Sequence, residues 1–193
     1  YIYARLSNTT YVPTQMLPWA GRSSALWFLA SHMADMAHWL LDDEPRRVYA
    51  ASRKGILQEL GVDAPDFHVA LVEFGGGAVV TLEHAWILPQ SEPSVFDLKL
   101  EVLGSTGAIR INTSDHRAMQ IYSDGGVALP DMLGAPASDS PRLAGFVQEA
   151  IARFVDAVAD DAPLLATGAD GLRVTRLLAA IEQSVTSGMP VEL

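Results

Sequence analysis

SSALWFLASHMADMAHWLL, residues 23–41, decides the fold of this chain. Apolar side chains recur through it at helical spacing and cover most of its circumference. Set at about 100° per residue, Phe28, His32, Asp35, Met36 and Trp39 share one face, and Leu26, Leu29, Met33 and Leu40 share the next. A helix apolar on most sides is expected to be buried rather than to lie on a surface. His32 and Asp35 stand three residues apart, so they are neighbours on one side of it. A His and an Asp buried there need partners, because burying an unpaired charge is costly. The pair is therefore either structural or chemical. Ser23 or Ser24 is the expected N-cap. Asp42-Asp43-Glu44-Pro45 ends the helix, since Pro45 cannot continue it. Acids at a helix C-terminus oppose the macrodipole and are expected to turn out into solvent.

The 193 residues, 49% hydrophobic, suffice for one domain with a full core. No apolar run reaches the roughly 18 uncharged residues that cross a bilayer, because His32, Asp35 and His38 interrupt the best candidate. No leader pattern opens the sequence, which begins at Tyr1 in strand-like residues and reads as a piece of something longer. A cytoplasmic location is expected. Thirteen basic against 23 acidic residues give a net charge of −10, with no basic stripe. Nucleic acid and anionic membranes are therefore poor partners. Zero cysteines exclude disulfides, zinc–thiolate sites and thiol catalysis.

Outward from the central helix, the chain alternates between strand and turn signals. Residues 1–8 alternate as a strand. Residues 9–22 carry Pro13, Pro18 and Gly21 and read as a loop, either functional or merely draped over the surface. Residues 46–52 form a short strand, and a helical turn is expected near 56–60. Strand-like runs at 67–74 and 78–88 flank Gly75-Gly76-Gly77, which predicts a hairpin. A phosphate-cradling loop would open a helix, and this one opens a strand. Residues 95–103 alternate, with Phe96, Leu98, Leu100 and Val102 on the expected buried face and Asp97, Lys99 and Glu101 on the other. Gly104 to Gly107 turn the chain into a strand at 108–112, and another follows at 119–123. Residues 125–139 read as a loop. Ser140-Pro141 starts a helix with a buried stripe of Phe146, Ala150, Phe154 and Val158. Thr167 and Asp170 form a capping-box start for the last helix. Its stripe is Val174, Leu177, Leu178, Ile181 and Val185, and Gly188 stops it. Residues 189–193 add an edge strand. Grouped strands with helices on one side predict an α+β fold: a mainly antiparallel open sheet with helices packed on one face. Its other face invites a second copy.

His32 leads the candidate chemistry. An imidazole passes a proton near neutral pH, and an adjacent carboxylate such as Asp35 orients it. His84 and Glu83 alternate on a strand and point to opposite faces. His38 sits too far round the helix to share a ligand with His32. Asp115 and His116 fall in a turn. Neither a nucleophile elbow nor a dinucleotide glycine fingerprint occurs.

The H-x-x-D helix with its following Trp39-Leu40, then Pro45 and Val48, resembles the second domain of the Gfo/Idh/MocA oxidoreductases. The Phe74 to Ala78 turn, the Val102 to Gly107 turn, and the tail of Ser184, Gly188 and Val191 are similar in order and spacing to that family. The resemblance implies a two-domain enzyme of which residues 1–193 form one C-terminal domain. That domain shapes a sugar or polyol pocket and forms homo-oligomers through its sheet. An N-terminal Rossmann domain, absent from this chain, binds NAD or NADP. The resemblance maps the acid/base onto His32 and its carboxylate partner onto Asp35. Phe28 stands where many members carry an Asp, one turn before the His. Arg5, Asn8 and Trp19 are the expected substrate-pocket residues. Two alternatives stay open. One is a non-catalytic binding or dimerisation module with His32 and Asp35 as buried structural partners; the other is a metal-dependent hydrolase centred on His32.

Overall fold

The computed structural model describes residues 1–92, 94–113, 119–123, 125–128 and 146–193. Its strands are β1 (Ile2–Asn8), β2 (Pro45–Arg53), β3 (Phe67–Phe74), β4 (Val79–Ala85), β5 (Phe96–Leu103), β6 (Gly107–Asn112), β7 (Met119–Ser123), β8 (Gly126–Ala128) and β9 (Val191–Glu192). They join one sheet in the order β8-β7-β6-β5-β1-β4-β3-β2-β9. Among the described strands only β1 and β4 pair in parallel; the other strand pairs are antiparallel. β1 enters between β4 and β5 although 70 residues of chain separate it from the nearer of them, so it closes the middle of the sheet. The fold is α+β, as expected.

A π-helical turn, Leu26–Ala30, runs into helix α1 (Ser31–Leu41), and the expected helical turn after β2 is the short helix α2 (Ile56–Glu59). This segment and helix α4 (Gly168–Ser187) cover one face of the sheet. Ile2, Ala4 and Leu6 of β1, Val48 and Ala50 of β2, and Val80 and Leu82 of β4 meet Leu26, Leu29, Met33, Leu177 and Ile181 there. β-branched and alternating strand residues fill that side because successive side chains point to opposite faces. α4 keeps its predicted design: Thr167 and Asp170 exchange capping-box hydrogen bonds, and Gly188 ends the helix in the left-handed region. Ser184 ties its last turn to β2, since its hydroxyl accepts from the Ala50 N–H at 2.9 Å.

The Gly75–Gly77 hairpin forms between β3 and β4, with Gly77 at φ +90. Asp43 is not turned out into solvent as expected. Its Oδ2 accepts from the Gly76 N–H at 2.6 Å and its Oδ1 from the Glu44 N–H at 2.8 Å, so it locks the turn against the helix end. Those bonds hold its carboxyl below the usual range. Gly107 is fixed by a close approach: a Cβ there would run into the Tyr122 carbonyl oxygen on β7. Among the described residues no helix is long and apolar enough to cross a membrane.

Several expectations are corrected. The segment 23–41 is not buried on all sides: Trp27, His32, Asp35, Trp39 and Leu40 line an exposed outer face, with Trp39 74% exposed. Neither Ser23 nor Ser24 caps it by its side chain; the Ser24 carbonyl takes the first helical bond, from Phe28. The expected loop at 9–22 contains a π-helical turn, Val12–Met16, and a 3₁₀ turn, Ala20–Arg22. On β5, Phe96 is exposed while Asp97 is 8% exposed, because Arg5 and Lys99 neutralise it on the open sheet face. Helix α3 (Phe146–Asp160) does not bury its stripe: Ala150, Phe154 and Val158 are exposed, the last 72%. Gly126–Ala128 is a strand inside the expected loop. The Ser140-Pro141 start, the Phe146 side chain, and Asp115 and His116 lie outside the described residues.

Candidate active site on the outer face of the helix

His32 and Asp35 stand on the outer side of α1, one turn apart and open to solvent. Neither side chain hydrogen-bonds the other among the described residues, so they are not buried structural partners. The helix places His32 one turn after Phe28. The Phe28 ring packs edge-on against Trp19, with centroids 5.7 Å apart, and tilts onto Trp86 at 5.9 Å. Trp19, delivered by the segment between β1 and the helix, is therefore beside the His32 turn, half exposed. Trp86 is wholly buried beneath. The result is an aromatic wall with an imidazole at its rim. Aromatic and apolar walls with a few polar groups characterise small-molecule sites.

Under this wall lies a polar floor that sequence reasoning missed. His84 on β4 and His68 on β3 face each other across the antiparallel ladder, both on the helix side of the sheet. The His84 Nδ1 sits 3.0 Å from the Leu6 carbonyl oxygen. A carbonyl only accepts, so Nδ1 carries the proton and donates it. Burial lowers the pKa of both rings to about 4; charge on His68 and on His32 pushes His84 the same way. Both are thus neutral near pH 7. Asn8, at the end of β1, donates from Nδ2 to the Val95 carbonyl at 3.2 Å. Its Oδ1 is buried without a hydrogen-bond partner among the described residues, as are His84 Nε2, His68 Nδ1 and Trp86 Nε1. The signal for this floor was the pairing of two β-runs whose histidines fall opposite each other. Register across a hairpin fixes that, and single-strand alternation does not reveal it.

Arg5 is not brought to this site. It lies on the opposite face of the sheet, its Nε 3.4 Å from both Glu83 Oε1 and Asp97 Oδ2. Tyr3 beside it donates to Glu83 Oε2 at 2.7 Å, and burial with that carboxylate pushes its phenol up to about 12. His38 turns toward Glu44, at 3.5 Å. Among the described residues no three His, Asp or Glu side chains gather as metal ligands. Among the described residues the Gly75–Gly77 turn is not a phosphate loop. The glycine-rich turn closes a hairpin, and the Asp43 carboxylate occupies the N–H that a phosphate would need.

A family model described as the C-terminal alpha/beta domain of an oxidoreductase family matches residues 8–193. An uncharacterized oxidoreductase of Bacillus subtilis, YrbE, is 25% identical over 174 residues, which span 86% of this chain and 47% of that protein. The fold is shared with levoglucosan dehydrogenase in complex with NADH and L-sorbose, at a TM-score of 0.79, 21% identity, and coverage of 99% of this chain and 58% of that one. It is also shared with the WlbA dehydrogenase of Bordetella pertussis in complex with NADH and UDP-GlcNAcA, at 0.74, 20% identity, and coverage of 100% and 54%. The chain spans about half the length of the relatives it matches.

Proposed function

The chain belongs to the Gfo/Idh/MocA oxidoreductase family as its C-terminal α/β domain, and from that premise we propose that it is the substrate-binding half of an NAD(P)-dependent oxidoreductase acting on a sugar or polyol alcohol. The observation that carries the proposal is the open imidazole of His32 at the rim of the Trp19–Phe28 wall. Aromatic faces suit the C–H faces of a sugar ring, and an imidazole beside them can take or return the proton of a hydroxyl. Asp35 follows one turn on and steadies the charge that His32 acquires. Asn8 and Trp19 contact the substrate. The nicotinamide cofactor, which accepts or supplies hydride, is held by an N-terminal Rossmann domain. That domain packs on the outer helix face, where Trp27, Trp39 and Leu40 await cover. The opposite, open sheet face carries exposed Tyr49, Val69 and Leu71 around the Arg5 cluster and serves homo-oligomer contacts. A cytoplasmic location fits such an enzyme.

The test is NAD(P)⁺ reduction by the two-domain protein with a panel of sugars and polyols. Turnover with members of that panel and none with simple primary alcohols is expected. No reduction of either nucleotide by any sugar or polyol would overturn the reading.

A further inference from the structure

The aromatic wall is held in place and has almost no positive charge about it. Phe28 rests on the buried Trp86 ring at 5.9 Å and meets Trp19 edge-on at 5.7 Å, so a seated ring fixes the exposed one. An aromatic plane fixed from behind offers the C–H face of a sugar ring a surface that needs no ordering on binding. The segments that build the wall are poor in cations. Residues 23–41, which carry Phe28, His32 and Asp35, contain neither Lys nor Arg, and nor do residues 86–95. Residues 9–22 contain one, Arg22, which ends the Ala20–Arg22 turn in the open. Arg5, on the strand that leads to Asn8, lies on the far face of the sheet, with Glu83 and Asp97 each 3.4 Å from its Nε. Against Arg22 stand Asp35, one turn after His32, and a chain of net charge −10. An acid or phosphate brought to this rim loses water and gains no buried, charge-assisted partner among the described residues. The field of the chain also lowers the local concentration of anions.

Resting on the functional reading above, we propose that the site selects its substrate by charge: it takes neutral sugars or polyols that lay a C–H face on Trp19 and disfavours their acids and phosphates, with Phe28 as the positioning residue that holds Trp19. Phe28 acts through the Trp19 ring, which it braces from the helix side, and Trp86 is the fixed base beneath it. Two features make the selection. The wall supplies apolar area and no counter-charge, so a neutral ring gains contact while an anion gains none. The arginine that could have served an anion from β1 is neutralised behind the sheet by two carboxylates.

The experiment gives the two-domain protein matched sets of a hexose, its uronic acid and its 6-phosphate, in the gluco, galacto and manno series. Binding is read by the tryptophan fluorescence change that Trp19→Phe abolishes, and turnover by NAD(P)⁺ reduction. In at least one series the hexose is expected to bind at least about tenfold more tightly than its acid and its phosphate, and Arg22→Gln leaves that ratio unchanged. Trp19→Ala is expected to weaken hexose binding about five- to tenfold, with a larger effect on KM than on kcat. Phe28→Leu, which fills the space without a ring, weakens it about threefold, and Phe28→Tyr, which keeps the ring, restores it. If Phe28→Leu does not fold, Trp19→Ala at the exposed ring carries the test. An acid or phosphate bound as tightly as its hexose overturns the inference, as does unchanged hexose binding in Trp19→Ala or no binding of any hexose. A preference for the acid that vanishes in Arg22→Gln overturns it too. Turnover that favours the acids overturns the inference and leaves the functional reading standing. Hexose binding at Trp19 that excludes the acids, in a protein with no NAD(P)⁺ turnover, supports the inference and overturns the functional reading alone.

Discussion

The two sides of the helix at residues 26–41 both carry large apolar residues and have opposite fates. The inner side, with Leu26, Leu29, Ala30 and Met33, is sealed against β1 and β4. The outer side, with Trp27, Trp39 and Leu40 beside His32 and Asp35, also presents large apolar side chains and stays open. Helices α4 and α3 repeat the contrast. Leu177, Leu178 and Ile181 of α4 are buried on the sheet, while Ile151, Phe154, Val155 and Val158 of α3 are bare. The difference teaches that helical periodicity reports which face wants cover and says nothing about what supplies it. Where the cover lies among the described residues the core forms. Where it does not, the same stripe is left as a surface that a second domain or copy can use.

The comparison can be broken first from the inside. Leu26→Ala is expected to cost about 2–5 kcal/mol, read as a lower denaturant midpoint. A loss below about 1 kcal/mol would mean that the inner side is no better packed than the outer. A second break uses acid. The folded pKa of His68 and of His84 is lowered to about 4, below the ordinary value of 6.5. Above about pH 6.5 both rings are neutral folded or unfolded. As pH falls from there toward 4 the unfolded chain binds protons that the folded one does not, so stability falls, by up to about 3 kcal/mol for each ring. A midpoint unchanged between about pH 7 and pH 4.5 would contradict their burial. The smallest effect belongs to the outer side: Trp39→Ala should change the stability of this chain by no more than about 0.5 kcal/mol. A larger loss would show that the outer side is already covered.

Much of this was legible in the sequence, for local reasons. The bounds of β3 and β7, the glycine hairpin, and the Thr167–Asp170 capping box follow from alternation, turn chemistry and cap chemistry acting over a few residues. The position of His32 and Asp35 on one side of a helix follows the same way. Their exposure did not, because an all-round apolar sequence reads as buried whether its cover is near or far in the chain. Asp43 was misread since its partner, the Gly76 N–H, lies 33 residues on. Asp97 was misread since Arg5 reaches it from a strand inserted beside β5. The His84–His68–Trp86 floor was not visible at all, because it exists only once β1, β3 and β4 are in register.

The most direct measurement is kcat of the two-domain protein carrying His32→Ala, with melting temperature recorded alongside. A fall of about 10²-fold or more is expected at a melting temperature within a few degrees of wild type, since His32 is exposed and packs no core. Turnover equal to wild type would contradict the assignment of His32 as the acid/base.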